Sequence, residues 1–420
     1  MSEFEHMRSE GGASADDAIV NNAWSLLSSE KPVPAIDFER LHNYRTERLK
    51  AEMRAADVAM LILINPSSLR YAADYESYQL FQAHMPGAYM FLPLEGPTVM
   101  YGANSGIADP RFEHRPGRPL TFFDAGTEQA EASRLLADDA LRFLEEIGTN
   151  NRRIAIEFVN PSQTQALMQR GLEVLDGIPM AEMARVIKSE DEISCIRWAL
   201  AVAEHGIAKM KEVLKPGISE LQLWGLLNYA NLANNGGWHD GRMLASGPRT
   251  NPWLQEATQR TIESGDLVAF DTDMVGPWGY FADISRTFHC GPARPTKRQK
   301  ELYRLAYDEV HTNMKLVRPG ISFTDIQKQA FDVPEAFHQQ AYPVVMHAVG
   351  LCDEYPKITY GFRGANFYDG VLDKGMVMCV ESYMGAVGET DGVKLEQQVV
   401  VTEQGCELLT SCPFEESLLD

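Results

Sequence analysis

Residues 267–288 read LVAFDTDMVGPWGYFADISRTF: an apolar strand, a Gly/Pro turn and a second strand that nonetheless carry Asp271, Asp273 and Asp283. Further along, YPVVMHAVGLCDEYP supplies His347, MVMCVESYM supplies Glu381 and VKLEQQVVVTEQG supplies Glu396. One histidine and five carboxylates therefore lie on segments whose other residues belong in a core. A buried carboxylate without a partner costs several kcal/mol, so positive charge is expected among them. Five carboxylates carry about −5, which two divalent ions at about +4 nearly balance and one ion does not. Asp271 and Asp273 are two apart, which on a strand points both to one face, with Asp283 expected on the partner strand beyond the turn. A lone strand glutamate is usually a surface residue, and a lone core histidine is usually just hydrogen-bonded. The whole set is hard to explain that way. Oxygen-rich ligation with one imidazole suits Fe(II), Mn(II), Co(II) or Zn(II) and disfavours a structural zinc site.

The elements that must position these groups follow from periodicity. Residues 36–56 have helical spacing, VAMLILINPSSLRYAA is an apolar strand that breaks at Asn65-Pro66, and GAYMFLPL and PTVMYG read as hairpin strands. Residues 128–147 read as a helix and RRIAIEF as a strand, so an α/β domain is expected over 36–185, after a polar tail over 1–35. A long amphipathic helix then opens a second domain over 186–420. Within it, MKEVLKPGIS near residue 210 is echoed by MKLVRPGIS near residue 314. In each copy a helix ends at Pro-Gly and another starts at Ser219 or Ser322, which predicts two related α/β halves.

The chain has 420 residues, enough for two domains, and a net charge of −21, which argues against nucleic-acid and anionic-membrane partners. Six scattered cysteines form no CxxC pair, no uncharged apolar run is long enough to span a bilayer, and the N-terminus lacks the order of a signal peptide. A cytoplasmic protein is expected.

GYFADISRTF, MHAVGL, CVES and KLEQQVVVTE resemble the pita-bread metallohydrolases: methionine aminopeptidase, prolidase, aminopeptidase P and creatinase. The resemblance implies a creatinase-like N-terminal α/β domain, a pita-bread catalytic domain of two pseudo-symmetric halves, and an Asp, Asp, His, Glu, Glu ligand set at Asp271, Asp283, His347, Glu381 and Glu396. Three departures stand out. Asp273 replaces the glycine usual in an Asp-x-Gly string. In LLASGPRTNPWLQE, Trp253 stands where peptidases carry a histidine after the proline. HAVGLCDEYP is one residue shorter than H-x-x-G-L-x-x-H-E-x-P, with Asp353 in place of the second histidine. The histidines of peptide hydrolysis are thus absent while the ligand set is kept.

All three departures resemble the dimethylsulfoniopropionate (DMSP) lyase branch of that superfamily. The resemblance implies a carbon–sulfur lyase acting on a small zwitterionic carboxylate. It implies two metal ions, iron first, on Asp271, Asp273, Asp283, His347, Glu381 and Glu396, with Asp353 as base, Tyr342 orienting substrate, and a homodimer. Trp253, Trp278 and Tyr342 are aromatic candidates for holding a sulfonium by cation–π contact. The ligand set alone also fits an Xaa-Pro peptidase or another C–N hydrolase.

Overall fold

The structure, a computed structural model, describes residues 27–29, 31–102, 109–158 and 160–420, so residues 1–26 and 30 of the expected tail lie outside the described residues. Residues 36–191 form one compact unit and residues 192–420 the body of another. Among the described residues no helix is long and apolar enough to cross a membrane.

The first unit is a six-stranded mixed sheet. Its central strand, Met60–Leu63, pairs antiparallel with Tyr89–Pro93 and parallel with Arg153–Ile156. The chain leaves that strand at Asn65, whose side chain caps a helix with Pro66 at its first position. Helix Gln129–Glu146 packs Leu136, Ala137, Ala140 and Phe143 into the same core as Ile62, Phe91 and Ile154.

The second unit, where the pita-bread domain is expected, is built on two main sheets. A five-stranded sheet runs in the order Asp353–Ile358, Met346–Val349, Val377–Met384, Val393–Val401, Cys406–Leu408, and a three-stranded sheet contains Ser285–His289, Leu267–Asp271 and Leu244–Ser246. Every residue of Val377–Met384 and Val393–Val401 is buried. These are strands covered on both faces, which explains their nearly continuous apolar reading. Side chains join the two sheets: the Ser285 hydroxyl donates to Glu396 at 2.8 Å, and the Thr287 hydroxyl bridges the backbone of Lys394.

The sequence echo is a structural repeat. Helix Glu190–Val213 is followed by Gly217 at φ 101° and Ser219, which caps Glu220–Ala233; helix Lys297–Met314 is followed by Gly320 at φ 81° and Ser322, which caps Phe323–Gln329. Each glycine sits in the left-handed region, where a side chain is strained. The Gly217 amide donates to Ile262 O at 2.9 Å and the Gly320 amide to Leu372 O at 2.7 Å, so each turn is tied to the same place in its own half.

Ser219→Ala and Ser322→Ala should each lower the free energy of unfolding by about 1 kcal/mol, the usual cost of a lost N-cap. Urea denaturation followed by circular dichroism reads this. A cost confined to one of them would mean that the two turns are not equivalent.

Candidate metal centre

One correction concerns the aspartates. Strand Leu267–Asp271 ends at Asp271, opposite Ser285, so neither Asp273 nor Asp283 lies on the strand pair. The chain between them forms a separate short ladder, Met274–Val275 with Phe281–Ala282. The buried Thr272 hydroxyl fills the break, donating to Ala282 O at 2.7 Å and accepting from Ile284 N at 2.9 Å. Beyond it the backbone turns left-handed at Asp273, φ 35°, a conformation aspartate tolerates better than most residues. His239 lies against this break, with Nδ1 2.6 Å from Thr272 O; burial pushes its pKa down to about 4, so the ring is neutral and donates. The interruption still brings carboxylate oxygens of Asp271, Asp273 and Asp283 within 4.8 Å of one another.

The five-stranded sheet supplies the other wall. His347 is paired across the ladder with Cys379, and Cys379 with Gln398; two residues further on, Glu381 faces Glu396, and beyond them Tyr383 faces Lys394. Strand alternation puts all of these on one face. Two further sets of donor atoms lie within 4.8 Å of one another: Asp283, His347, Cys379 and Glu396, and Asp271, Glu381 and Glu396.

Lys394 was not expected. Its ammonium, 0% exposed, pairs with Glu381 and lies 3.1 Å from Asp271 Oδ2 and 3.7 Å from Glu396 Oε2, and it donates to Ser285 Oγ at 2.7 Å. The signal was present: KLE puts a lysine two residues before Glu396, hence on the same face. Counting it, five carboxylates and one ammonium leave about −4, which two divalent ions cancel.

Electrostatics supports that fit. Asp271 is held below the usual carboxylate range despite burial, because Lys394 and Ser285 stabilise its charge. Asp273, Asp283 and Glu396 are pushed well above it, by burial first and by the neighbouring carboxylates next. His347 is raised to about 10: burial opposes the charge, but the Glu381 hydrogen bond at 2.8 Å and the surrounding carboxylates outweigh it. Burial and Glu396 also raise the Cys379 thiol well above its usual value. Asp271 Oδ1, Asp283 Oδ1 and Glu396 Oε1 are buried without a hydrogen-bond partner. Orphaned carboxylate oxygens converging with an imidazole are the donor set a divalent transition metal takes.

Asp353 sits at the open side. The chain turns between Met346–Val349 and Asp353–Ile358 at Gly350, where a Cβ would come within 2.4 Å of the Glu354 carboxylate; that carboxylate accepts from Leu351 N at 3.0 Å and closes the turn. Asp353 leaves the turn with Oδ1 3.5 Å from His347 Nδ1 and 69% of its side chain exposed. Its pKa is raised by desolvation on the inner side and by Glu381 and Asp271, against the pull of His347. Tyr342 lies over the Lys394 ammonium, 4.3 Å from the ring centroid, so one face of that ring is already taken. Trp253 packs with Ala269 and Tyr383, its ring 6.0 Å from that of Tyr383, and Met243 and Tyr342 complete the cluster. Trp278 lines a recess with Trp198, Val33, Ala233 and Pro277. Its φ of 56° within the tight turn at Pro277–Gly279 carries it there.

The profile of metallopeptidase family M24 matches residues 194–403. Two proteins described as dimethylsulfoniopropionate lyase DddP, from Roseovarius nubinhibens and Roseobacter denitrificans, are 34% and 33% identical to the chain, over 91% of its length and 88% of theirs. A Xaa-Pro dipeptidase of Pyrococcus furiosus is 28% identical over 55% of the chain and 65% of its own. Among solved structures, a Xaa-Pro dipeptidase from Bacillus anthracis superposes with a TM-score of 0.71 at 20% identity, covering 89% of this chain and 99% of its own. That likeness concerns the fold.

Lys394→Met keeps the length of the side chain and removes its charge. Deleting one partner of a buried ion pair costs about 3–5 kcal/mol. The metal-free variant should melt well below the wild type, and saturating Mn(II) should restore more stability to the variant than it adds to the wild type. Thermal denaturation with and without metal reads both; equal melting of the two metal-free proteins would remove Lys394 from the charge balance.

Proposed function

Because the chain belongs to metallopeptidase family M24, a family of two-metal enzymes, we propose that it is a DMSP lyase of that family, with its chemistry in the unit that carries the carboxylate cluster. Asp271, Asp273, Asp283, His347, Glu381 and Glu396 would hold the ion pair, iron in this reading. Bound ions supply Lewis acidity that draws the substrate carboxylate and stabilises the enolate-like charge beside it.

The observation that carries the reading is Asp353, a carboxylate open to solvent and 3.5 Å from His347, at the position where the peptidases have a histidine. Asp353 takes the proton from the carbon next to the substrate carboxylate. The electron pair left behind forms the carbon–carbon double bond, the carbon–sulfur bond breaks, and neutral dimethyl sulfide and acrylate leave, with the proton on Asp353. A neutral sulfide needs no proton donor, so no histidine is required there. Trp253 offers an aromatic wall beside the cluster for the sulfonium. Tyr342, braced over Lys394, orients the substrate. The similarity to two DMSP lyases over 91% of the chain supports the same conclusion. Six free cysteines support a cytoplasmic setting, and a homodimer is part of the proposal, to be read by analytical ultracentrifugation.

A dimetal Xaa-Pro peptidase is the second reading, because Asp271, Asp283, His347, Glu381 and Glu396 without Asp273 fit it as well. Asp353 separates the two. Asp353→Asn should keep fold and metal content and lower kcat for dimethyl sulfide release by about 10²–10⁴, the worth of a positioned general base, with a modest change in KM. It should also stop deuterium exchange at the carbon next to the carboxylate. Headspace detection of dimethyl sulfide is the assay. Release of amino acids from Xaa-Pro dipeptides by the wild type, without dimethyl sulfide from DMSP, would transfer the assignment to the peptidase.

A further inference from the structure

Cys379 lies two residues before Glu381 on strand Val377–Met384, on the same face. It is flanked across the ladder by His347 on one side and Gln398 on the other. A thiol placed for its apolar surface would suit the opposite face, with Met378 and Val380. Cys379 points instead into a polar row.

Its Sγ belongs to a set with one donor atom each from Asp283, His347 and Glu396, all within 4.8 Å of one another and all on buried residues. Donors bound to one ion at roughly 2.0–2.3 Å stand no more than about 4.6 Å apart, so the spacing is close to that of a common coordination sphere. Two of these residues independently ask for a cation. Asp283 and Glu396 are 2% and 0% exposed, and Asp283 Oδ1 and Glu396 Oε1 have no hydrogen-bond partner. The other two donor sets, Asp271–Asp273–Asp283 and Asp271–Glu381–Glu396, contain oxygen alone.

We infer that Cys379 is a direct sulfur ligand at one of the two metal positions, so that the pair is chemically unequal: one position of nitrogen, sulfur and oxygen donors, the other of oxygen only. The inference rests on the metal-centre reading above. As the sulfur–metal bond forms, a sulfur lone pair binds the ion and the thiol proton passes to solvent. Sulfur ligation favours Fe(II), Co(II) or Zn(II) over Mn(II) or Mg(II) at that position, and the oxygen position lacks this preference. A mixed pair, with the softer ion beside His347, is then the expected product of loading from a mixture.

The test uses spectroscopy on the full chain and needs no turnover. Metal-free protein loaded with Co(II) should show a near-ultraviolet sulfur-to-cobalt charge-transfer band. Cys379→Ser should lose the band, while Cys195→Ser, a buried thiol on helix Glu190–Val213, should keep it. If Cys379→Ser does not fold, the cadmium-113 resonance of the cadmium-loaded wild type decides, because a sulfur ligand moves one of the two signals far downfield of oxygen-only coordination. Cobalt content is measured on the same samples. Two bound ions with no sulfur band, with a band that survives Cys379→Ser, or with both cadmium signals in the oxygen range, would overturn the inference alone. Failure to bind any cobalt would overturn the metal-centre reading itself.

Discussion

Five carboxylates, four of them buried, converge from two sheets and the turn beside them, and the demand for positive charge this creates governs the centre of the molecule. In water each would be harmless. Among strands whose every residue is buried, their desolvation and mutual repulsion would open the layer. Lys394 meets part of the demand from within, pairing with Asp271, Glu381 and Glu396 and reaching Ser285 on the adjoining sheet. The remainder is what two divalent ions would supply in the proposed function. In that reading folding and metal binding would be coupled, as they are wherever ligands must lose protons or partners to assemble a site.

The same strands are braced from behind. Arg286, 0% exposed, donates to Ser285 O and Glu396 O, to Gln397 Oε1 and to Cys412 O, and stacks over Phe414 at 4.4 Å. It ties strands Ser285–His289 and Val393–Val401 to the C-terminal segment through neutral acceptors. On the far face of Val377–Met384, Ser382 donates to Glu309 of helix Lys297–Met314 at 2.5 Å, and Tyr360 donates to the same carboxylate at 2.8 Å. Burial pushes Glu309 up to about 7. These contacts fix the strand faces so that the donor atoms stay within coordination distance without relying on an ion for every position.

The centre divides into a rigid interior and an open side. Interior groups are held by ladders on two sides. Asp353 leaves a turn shaped by Gly350 and Glu354 and keeps most of its side chain in water. A base that must give its proton back to solvent needs that exposure. A ligand that must exclude water needs the opposite, and in the proposed function the two roles fall to residues only six apart, His347 and Asp353.

The sequence by itself determined the cluster of one histidine and five carboxylates on apolar segments, the alternation that puts Cys379 on the face of Glu381 and Lys394 on that of Glu396, the two halves with their Pro-Gly-x-Ser turns, and the α/β order of the first unit. These are local properties, written in periodicity and in residues with special backbone preferences. Lys394 and Cys379 were legible by the same alternation that found their neighbours, and they passed unnoticed because lysine and cysteine on a strand have ordinary explanations. Only the tertiary structure decided the rest. It ended the strand at Asp271 and turned Asp273 left-handed, because Thr272 replaces a ladder bond with its own hydroxyl, a choice no spacing rule contains. It carried Trp278 into a recess with Trp198, laid Lys394 beneath Tyr342, and set Asp353 beside His347. Each depends on which surfaces meet between elements far apart in the chain or on how a turn closes, and the pairing of distant surfaces is fixed by packing the whole layer at once.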